Sequence, residues 1–302
     1  MMNGIDISHW QAGMQLQNIS ADFVIMKATE GTYYVDPRCE EFFAAAQKSG
    51  KLCGLCHFAS GSNGAVNEAK YFVEHIKDKL GKAILVLDWE AEAINKGSAY
   101  AKLWLDTVYE LTGIRPLIYM SKGISANKSW AEVAKDYKLW VAQYPNYKAI
   151  YGYQDNFWTD DKGCGAWGKE GTIHQYTSCG YLPGWSGRLD LDKAFIDAYE
   201  WEAMATGRDA LKPETPLKPL AEIADEVYAG KWGNGQERIR NLTDAGYDYT
   251  TVQNEVNILF WAKEVLAGKW GNGAERVRKL TNAHIDAKAV QKKVNEILEG
   301  KA

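Results

Sequence analysis

Ala83-Ile84-Leu85-Val86-Leu87-Asp88-Trp89-Glu90 is the stretch on which the reading of this chain turns. An unbroken apolar run is followed by two carboxylates, two residues apart. With Gly81-Lys82 before it and Glu92 after it, the run reads as a strand buried on both faces. Side chains at i and i+2 of a strand point to the same side, so Asp88 and Glu90 are expected to face one space at the strand's C-terminal end. In parallel-strand proteins that end is where ligands bind. Two acids crowded at low polarity repel, and one is pushed to keep its proton. Such a pair supplies a proton donor and a stabilising charge, which is what breaking a glycosidic bond requires. At this point a strand-end pair in open water fits the residues equally well.

The same design recurs along the first 200 residues. Apolar runs ending in polar residues predict strands over 3–8, 23–31, 52–59, 83–90, 116–120, 139–144, 170–176 and 188–191. Helical spacing and capping residues predict helices over 37–48, 64–80, 98–112 and from Asp192 to about Thr206. Eight strands, the first five separated by helices, predict an α/β fold: an irregular (β/α)5β3 TIM-like barrel over 1–207. The stretch between Tyr144 and Glu170 has Gly, Asp, Trp and Tyr but no helical period, so the last third is expected to be irregular. Polar or aromatic residues recur at strand ends: Asp6, Lys27, Glu30, His57, Asp88, Glu90, Tyr119, Gln143, Gln175, Tyr176 and Asp190. Together they match the rule that barrel chemistry collects at one rim.

Residues 208–219 contain Pro213, Pro216 and Pro219 among Lys and Glu, and read as a semi-rigid linker. An internal repeat follows. Gly-Lys-Trp-Gly-Asn-Gly occurs at 230–235 and again at 268–273, each copy flanked by the same helical pattern. The copies are expected over 220–257 and 258–302, each a small three-helix bundle. The glycines of this motif permit a tight turn or a close approach. Trp232 and Trp270 either plug a helix–helix corner or form the lip of a ligand groove. Arg238 and Arg276, with their planar forks, suit a carboxylate.

Net charge is −4; residues 211–302 carry 14 Lys+Arg against 13 Asp+Glu, so neither part has the basic field of a nucleic-acid binder. No run is long and apolar enough for a membrane span. The five cysteines form an odd set in a chain without a recognisable export signal, which argues against a disulfide framework. Cys53-Gly-Leu-Cys56 has redox or zinc spacing but lies inside an apolar strand-like run, with no second pair. No metal or other cofactor is expected. Most of the 12 Trp are expected in the core, although indoles also stack on sugars.

With these residues in view, the chain resembles glycoside hydrolase family 25, the phage and bacterial lysozymes (N-acetylmuramidases). The resemblance rests on Gly4-Ile-Asp-Ile-Ser-His-Trp-Gln11, Lys27-Ala-Thr-Glu-Gly31, Gly54 to Ala59, Leu87-Asp-Trp-Glu90, Leu139-Trp-Val-Ala-Gln-Tyr144, His174-Gln-Tyr176 and Leu189-Asp-Leu191. The repeats resemble the cell-wall-binding modules of some phage lysozymes. The resemblance implies cleavage of the β-1,4 bond between N-acetylmuramic acid and N-acetylglucosamine. It makes Glu90 the general acid/base and Asp88 the residue that orients the 2-acetamido group or stabilises charge. Asp6 and Asp190 match the other two rim acids. Tyr119, Trp140, Gln143, Gln175 and Tyr176 would line sugar subsites, with Lys27 beside them. Trp232, Arg238, Trp270 and Arg276 would serve wall binding. Asp192 departs from the family's usual Asn, and Cys56 from its usual aromatic residue. Retention through the substrate's own acetamido group is the expected stereochemical course.

The implied partners are peptidoglycan glycan strands and muropeptides, with self-association through the repeats a further expectation. Without an export signal the enzyme is expected in the host cytoplasm, reaching the wall with the help of a holin. Met204 is a candidate internal start for a separate tail. Two other classes compete: a sugar-binding protein on a decayed barrel, and a metal-dependent hydrolase using the same acids. Loss of wall turbidity separates the first, and sensitivity to EDTA the second.

Overall fold

Alternation along each strand decides what faces the barrel's centre. In the computed structural model, which describes residues 1–207 and 218–299, the central stretch forms β5 (Ile84–Asp88). Ile84 and Val86 point inward, to a core shared with Phe23, Ile25 and Leu117. Leu85 and Leu87 point outward, under the helices. All four are at most 1% exposed, so the unbroken apolar run is the mark of a strand covered on both faces.

The other strands are β1 (Met2–Ile7), β2 (Phe23–Glu30), β3 (Tyr34–Val35), β4 (Leu52–Phe58), β6 (Leu117–Ser121), β7 (Leu139–Ala142), β8 (Ile150–Tyr151), β9 (Ile173–Tyr181) and β10 (Leu189–Ala194). Eight of them close a barrel in the order β1-β2-β4-β5-β6-β7-β9-β10. β3 and β8 are two-residue additions at its edge. Neighbours run parallel from β1 to β9, and β10 is antiparallel to both β9 and β1. This is the irregular α/β barrel that the strand pattern predicts.

Three helices cover the barrel between early strands: α1 (Cys39–Lys48), α2 (Ala65–Ile76) and α3 (Ser98–Thr112). The β6–β7 connection holds only α4 (Lys122–Ser125) and α5 (Ala131–Ala134). The β1–β2 connection holds two 3₁₀ turns and no α-helix, where a helix is expected between each of the first five strands. The closing helix also differs from expectation. Residues 192–194 continue β10, and α6 (Ala198–Thr206) starts only at the capping box of Asp197 and Glu200. Its Trp201 reaches into the inner core, donating from Nε1 to the Cys53 carbonyl at 3.1 Å.

The chain divides into two compact units, Met1–Ala210 and Leu211–Ala302. The expected linker lies, apart from Lys218 and Pro219, outside the described residues. The second unit contains α7 (Leu220–Tyr228), α8 (Gly235–Asp244), α9 (Tyr249–Leu266), α10 (Gly273–Asn282) and α11 (Ala287–Leu298). The repeat boundary expected at 257/258 falls inside α9. This one continuous helix closes the first bundle with Val252, Val256 and Leu259 and opens the second with Ala262 and Val265. Two bundles thus share a helix, because the apolar stripe along α9 serves one core after the other without a break. In both copies the motif glycines have positive φ: 230, 233 and 235, then 268, 271 and 273. At Gly233 the backbone itself demands glycine, with φ at +76° and the Glu237 side chain lying where a Cβ would be. No helix among the described residues is long and apolar enough to cross a membrane.

Candidate active site

The acids enter the barrel's mouth by the same alternation that builds its core. On β1, Ile5 and Ile7 are buried against the helices, so Asp6 faces inward. On β10, Leu189 and Leu191 are buried outside, so Asp190 and Asp192 face inward. Antiparallel pairing sets Asp6 opposite Asp190 and Gly4 opposite Asp192. On β5, Asp88 continues the inward row of Ile84 and Val86 and pairs with Tyr119 of β6. Glu90 lies just past the strand end, as the extended residue before a 3₁₀ turn.

These positions form a gradient of depth. Glu90 is exposed at the opening, Asp6, Asp88 and Asp190 are half-buried, and Asp192 is fully buried. Trp140 Nε1 donates to Asp192 Oδ1 at 2.9 Å. Burial, the charge of Asp192 and that of Glu90 hold Asp6 well above the usual carboxylate range, although a hydrogen bond from Gln175 works against them. Burial and the charges of Glu90 and Asp6 do the same to Asp88. Burial raises Glu90 too, against the pull of Lys27. Asp190 is pushed up to about 8 by burial, Asp6 and Glu90. Asp192 stands well above its ordinary value through burial and the charge of Asp190. The cluster therefore holds protons at pH values where isolated carboxylates have lost them, the condition for a general acid.

Gln175 is the hub that fixes this cluster. Its Nε2 donates to Asp6 Oδ2 at 2.6 Å, and its Oε1 accepts from the Tyr119 hydroxyl at 2.7 Å and from the Tyr144 hydroxyl. From the sequence, Tyr144 has no expected site role beyond its place in a motif; its position two residues past β7 gives no other signal. Lys27 faces inward on β2, pairs with Glu30 at 2.6 Å and lies over the Phe58 ring at 4.6 Å.

Three expected lining residues are placed elsewhere. Tyr176 is fully buried on the outer face, stacked on Phe157 at 4.7 Å. Adjacent residues of a strand face opposite sides, so Gln175 and Tyr176 do not both line the mouth. Trp140 is 2% exposed, below the rim, packed on Tyr119 at 4.5 Å. It supports the site from beneath, through Tyr119 and Asp192. Gln143 turns to the following loop, donating to Asp160 Oδ2 at 2.7 Å and accepting from the Thr159 hydroxyl at 2.8 Å. Cys53 and Cys56, both reduced and buried, belong to the outer and inner cores respectively, so they do not form a common ligand pair.

His57 is likewise on the outer face. Its Nδ1 meets Thr29 Oγ1 at 2.8 Å and its Nε2 meets Glu68 Oε2 at 3.1 Å. Ser60 and Tyr100 also bond to Glu68. This is an internal polar network that ties α2 to β4.

In the second unit, Trp232 and Trp270 are half-buried against the two bundle cores. Arg238 bonds to the Gly233 carbonyl at 3.1 Å, to Gln253 Oε1 at 3.1 Å and to Asn234 Oδ1 at 2.9 Å. Arg276 repeats this on Gly271, Gln291 and Asn272 at 3.0, 3.0 and 2.9 Å. Each guanidinium fork thus pins its own glycine turn, where an external carboxylate is the expected partner.

A barrel of this topology, with acids from β1, β5 and the antiparallel β10 gathered at one rim, is the frame of a barrel hydrolase. The chain belongs to the glycosyl hydrolases family 25, whose pattern matches residues 5–185; the CW_7 repeat matches 221–260 and 261–298. A lysozyme of Streptococcus phage Cp-7 is 30% identical over 251 residues, which cover 80% of this chain and 64% of that protein. The chain thus spans less than two-thirds of that relative's length. A Streptomyces coelicolor bacterial lysozyme shares the fold at TM-score 0.56 and 22% identity, over 68% of this chain and 98% of that one. The catalytic domain of the endolysin ply40, from Listeria monocytogenes bacteriophage P40, does so at TM-score 0.53 and 23% identity, over the same shares. The repeat boundary at 260/261 also falls within α9.

Proposed function

We propose that the barrel is a muramidase that hydrolyses the β-1,4 bond between N-acetylmuramic acid and N-acetylglucosamine in peptidoglycan, and that the tail holds it to the wall. The observation that carries this reading is the graded acid cluster, with Glu90 at its open end. Family membership and the phage lysozyme relative support it. Glu90 is the proton donor to the leaving oxygen, because it alone of the clustered acids is exposed at the mouth. Asp88 is more deeply buried at the same mouth, and its ionised form opposes the positive charge that develops on the sugar ring. Asp6, held by Gln175, and Asp190, which keeps its proton up to about pH 8, line the rest of that space. Asp192, held by Trp140, lies beneath and bonds to Asp6.

Glu90→Gln keeps the shape and removes the proton, so turnover is expected to fall by roughly 10²–10⁴. Mass spectrometry of fragments released from purified peptidoglycan checks the bond: new reducing ends on N-acetylmuramic acid are expected. Reducing ends on N-acetylglucosamine, or near-native lysis by Glu90→Gln, contradict the assignment. Retention through the substrate's acetamido group is the stereochemical part of the proposal, and early α product by NMR opposes it.

For the tail, the two CW_7 matches support wall attachment. Trp232 and Trp270 support the bundle cores, and Arg238 and Arg276 hold the shape of the turns that face the ligand.

A further inference from the structure

Residues 143–172 join β7 to β9 without an α-helix, through β8 and one 3₁₀ turn. Long connections without regular structure in a compact domain are usually functional. This one is strapped down at two points. Lys122, with its side chain 5% exposed, bonds to Thr159 Oγ1 at 2.8 Å, the Asp160 carbonyl at 3.0 Å and Asp160 Oδ1 at 2.7 Å. Lys193, equally buried, bonds to Asp155 Oδ1 at 2.9 Å. A buried ammonium group is costly unless paired, and here the loop supplies the pairing. The segment 155–160 is therefore held by both ends.

What it presents is aromatic. Phe157 stacks on Tyr176, while Trp158 is 50% exposed. Opposite, Tyr151 is 76% exposed with its ring stacked on Tyr181 at 5.3 Å. Between them lies a cleft of about 460 Å³, to which Gln154 and Asn156 bring side-chain amides. That size and that mixture of flat apolar surface with a few polar groups suit a small ligand. The same connection reaches the acid cluster along the chain: Pro145 of the cleft wall follows Tyr144, which bonds to Gln175 and meets the exposed Tyr147 edge-on at 6.1 Å.

We infer that this cleft is a second carbohydrate subsite of the catalytic unit, remote from the carboxylates, that takes a further sugar ring of the same glycan strand. Trp158 and Tyr151 receive the C–H faces of the pyranose, and Gln154 and Asn156 bond to its hydroxyl and acetamido groups. The inference rests on the muramidase reading for the identity of the strand.

The test is binding by the full chain carrying Glu90→Gln, which removes turnover. The probes are peptide-free peptidoglycan glycan strands and the isolated disaccharide. Adding Trp158→Ala or Tyr151→Ala is expected to weaken long-strand binding about tenfold and to leave disaccharide affinity as it was. Trp158→Phe, which keeps a ring, is expected to restore most of the loss. Equal loss for both probes, or no loss for long strands, overturns the subsite. Lysis of purified walls by the native chain, measured in parallel, reports on the muramidase reading separately. A chain that fails to lyse walls but shows the length-dependent loss keeps the sugar subsite and sinks only the reaction.

Discussion

Asp190 carries the clearest cost of crowding acids at one mouth. Its folded-state value of about 8 lies above the ordinary 3.8, so it stabilises the fold fully only below the ordinary value, and that contribution is lost as pH rises through 8. Asp190→Asn removes the charge. Its thermal midpoint is expected to match the native chain near pH 3.8 and to exceed it by several degrees at pH 8, while wall lysis falls. A midpoint difference independent of pH contradicts this. Glu68 behaves in the opposite sense. Although burial opposes it, hydrogen bonds from His57 and Ser60 hold it down to about 2, so its contribution is present above 4.5 and lost as pH falls through 2. Glu68→Gln weakens the buried hydrogen bonds to the Glu68 carboxylate and is expected to cost about 2 kcal/mol at neutral pH, measured by urea unfolding, and little near pH 2.

At the scale of the element, the loop after β7 and the helix α9 show how one segment serves two neighbours. Lys122→Met leaves Asp160 and Thr159 without their buried partner. The segment 155–160 is expected to gain backbone hydrogen exchange, with α3 and β5 unaffected; protection unchanged in that segment would show that Lys193 alone suffices. In the tail, α9 belongs to both bundles. Asn257→Pro removes a helical hydrogen bond at its centre and is expected to cost about 3 kcal/mol. Helices α8 and α10 are then expected to lose exchange protection together. Loss in α8 alone would mean that the second bundle stands by itself.

At the scale of the whole molecule, the proposed function assigns catalysis and attachment to separate compact units. Tethering makes the second contact with the wall intramolecular and raises the local concentration of the barrel. Deleting residues 211–302 is expected to weaken wall binding more than cleavage of soluble fragments; equal loss in both assays opposes a tether.

The sequence by itself determined the eight strands, the inward acids and the duplicated tail, because these rest on local periodicity. An apolar run ending in Asp88 reads the same before and after folding, since alternation is a property of the backbone. Its reach ended where partners come from far along the chain. Trp140 and Asp192 are 52 residues apart, and only closure of the barrel brings them together. Tyr176 and Gln143 looked like site residues by their place at strand ends, yet a one-residue change of parity turned Tyr176 away, and Asp160, held by the buried Lys122 at the start of α4, drew Gln143 aside. Whether α9 was one helix or two was likewise undecided by spacing, because a stripe that feeds two cores has the same period as a stripe that feeds one. Tertiary structure decided these points, since they depend on which distant surfaces exclude water together.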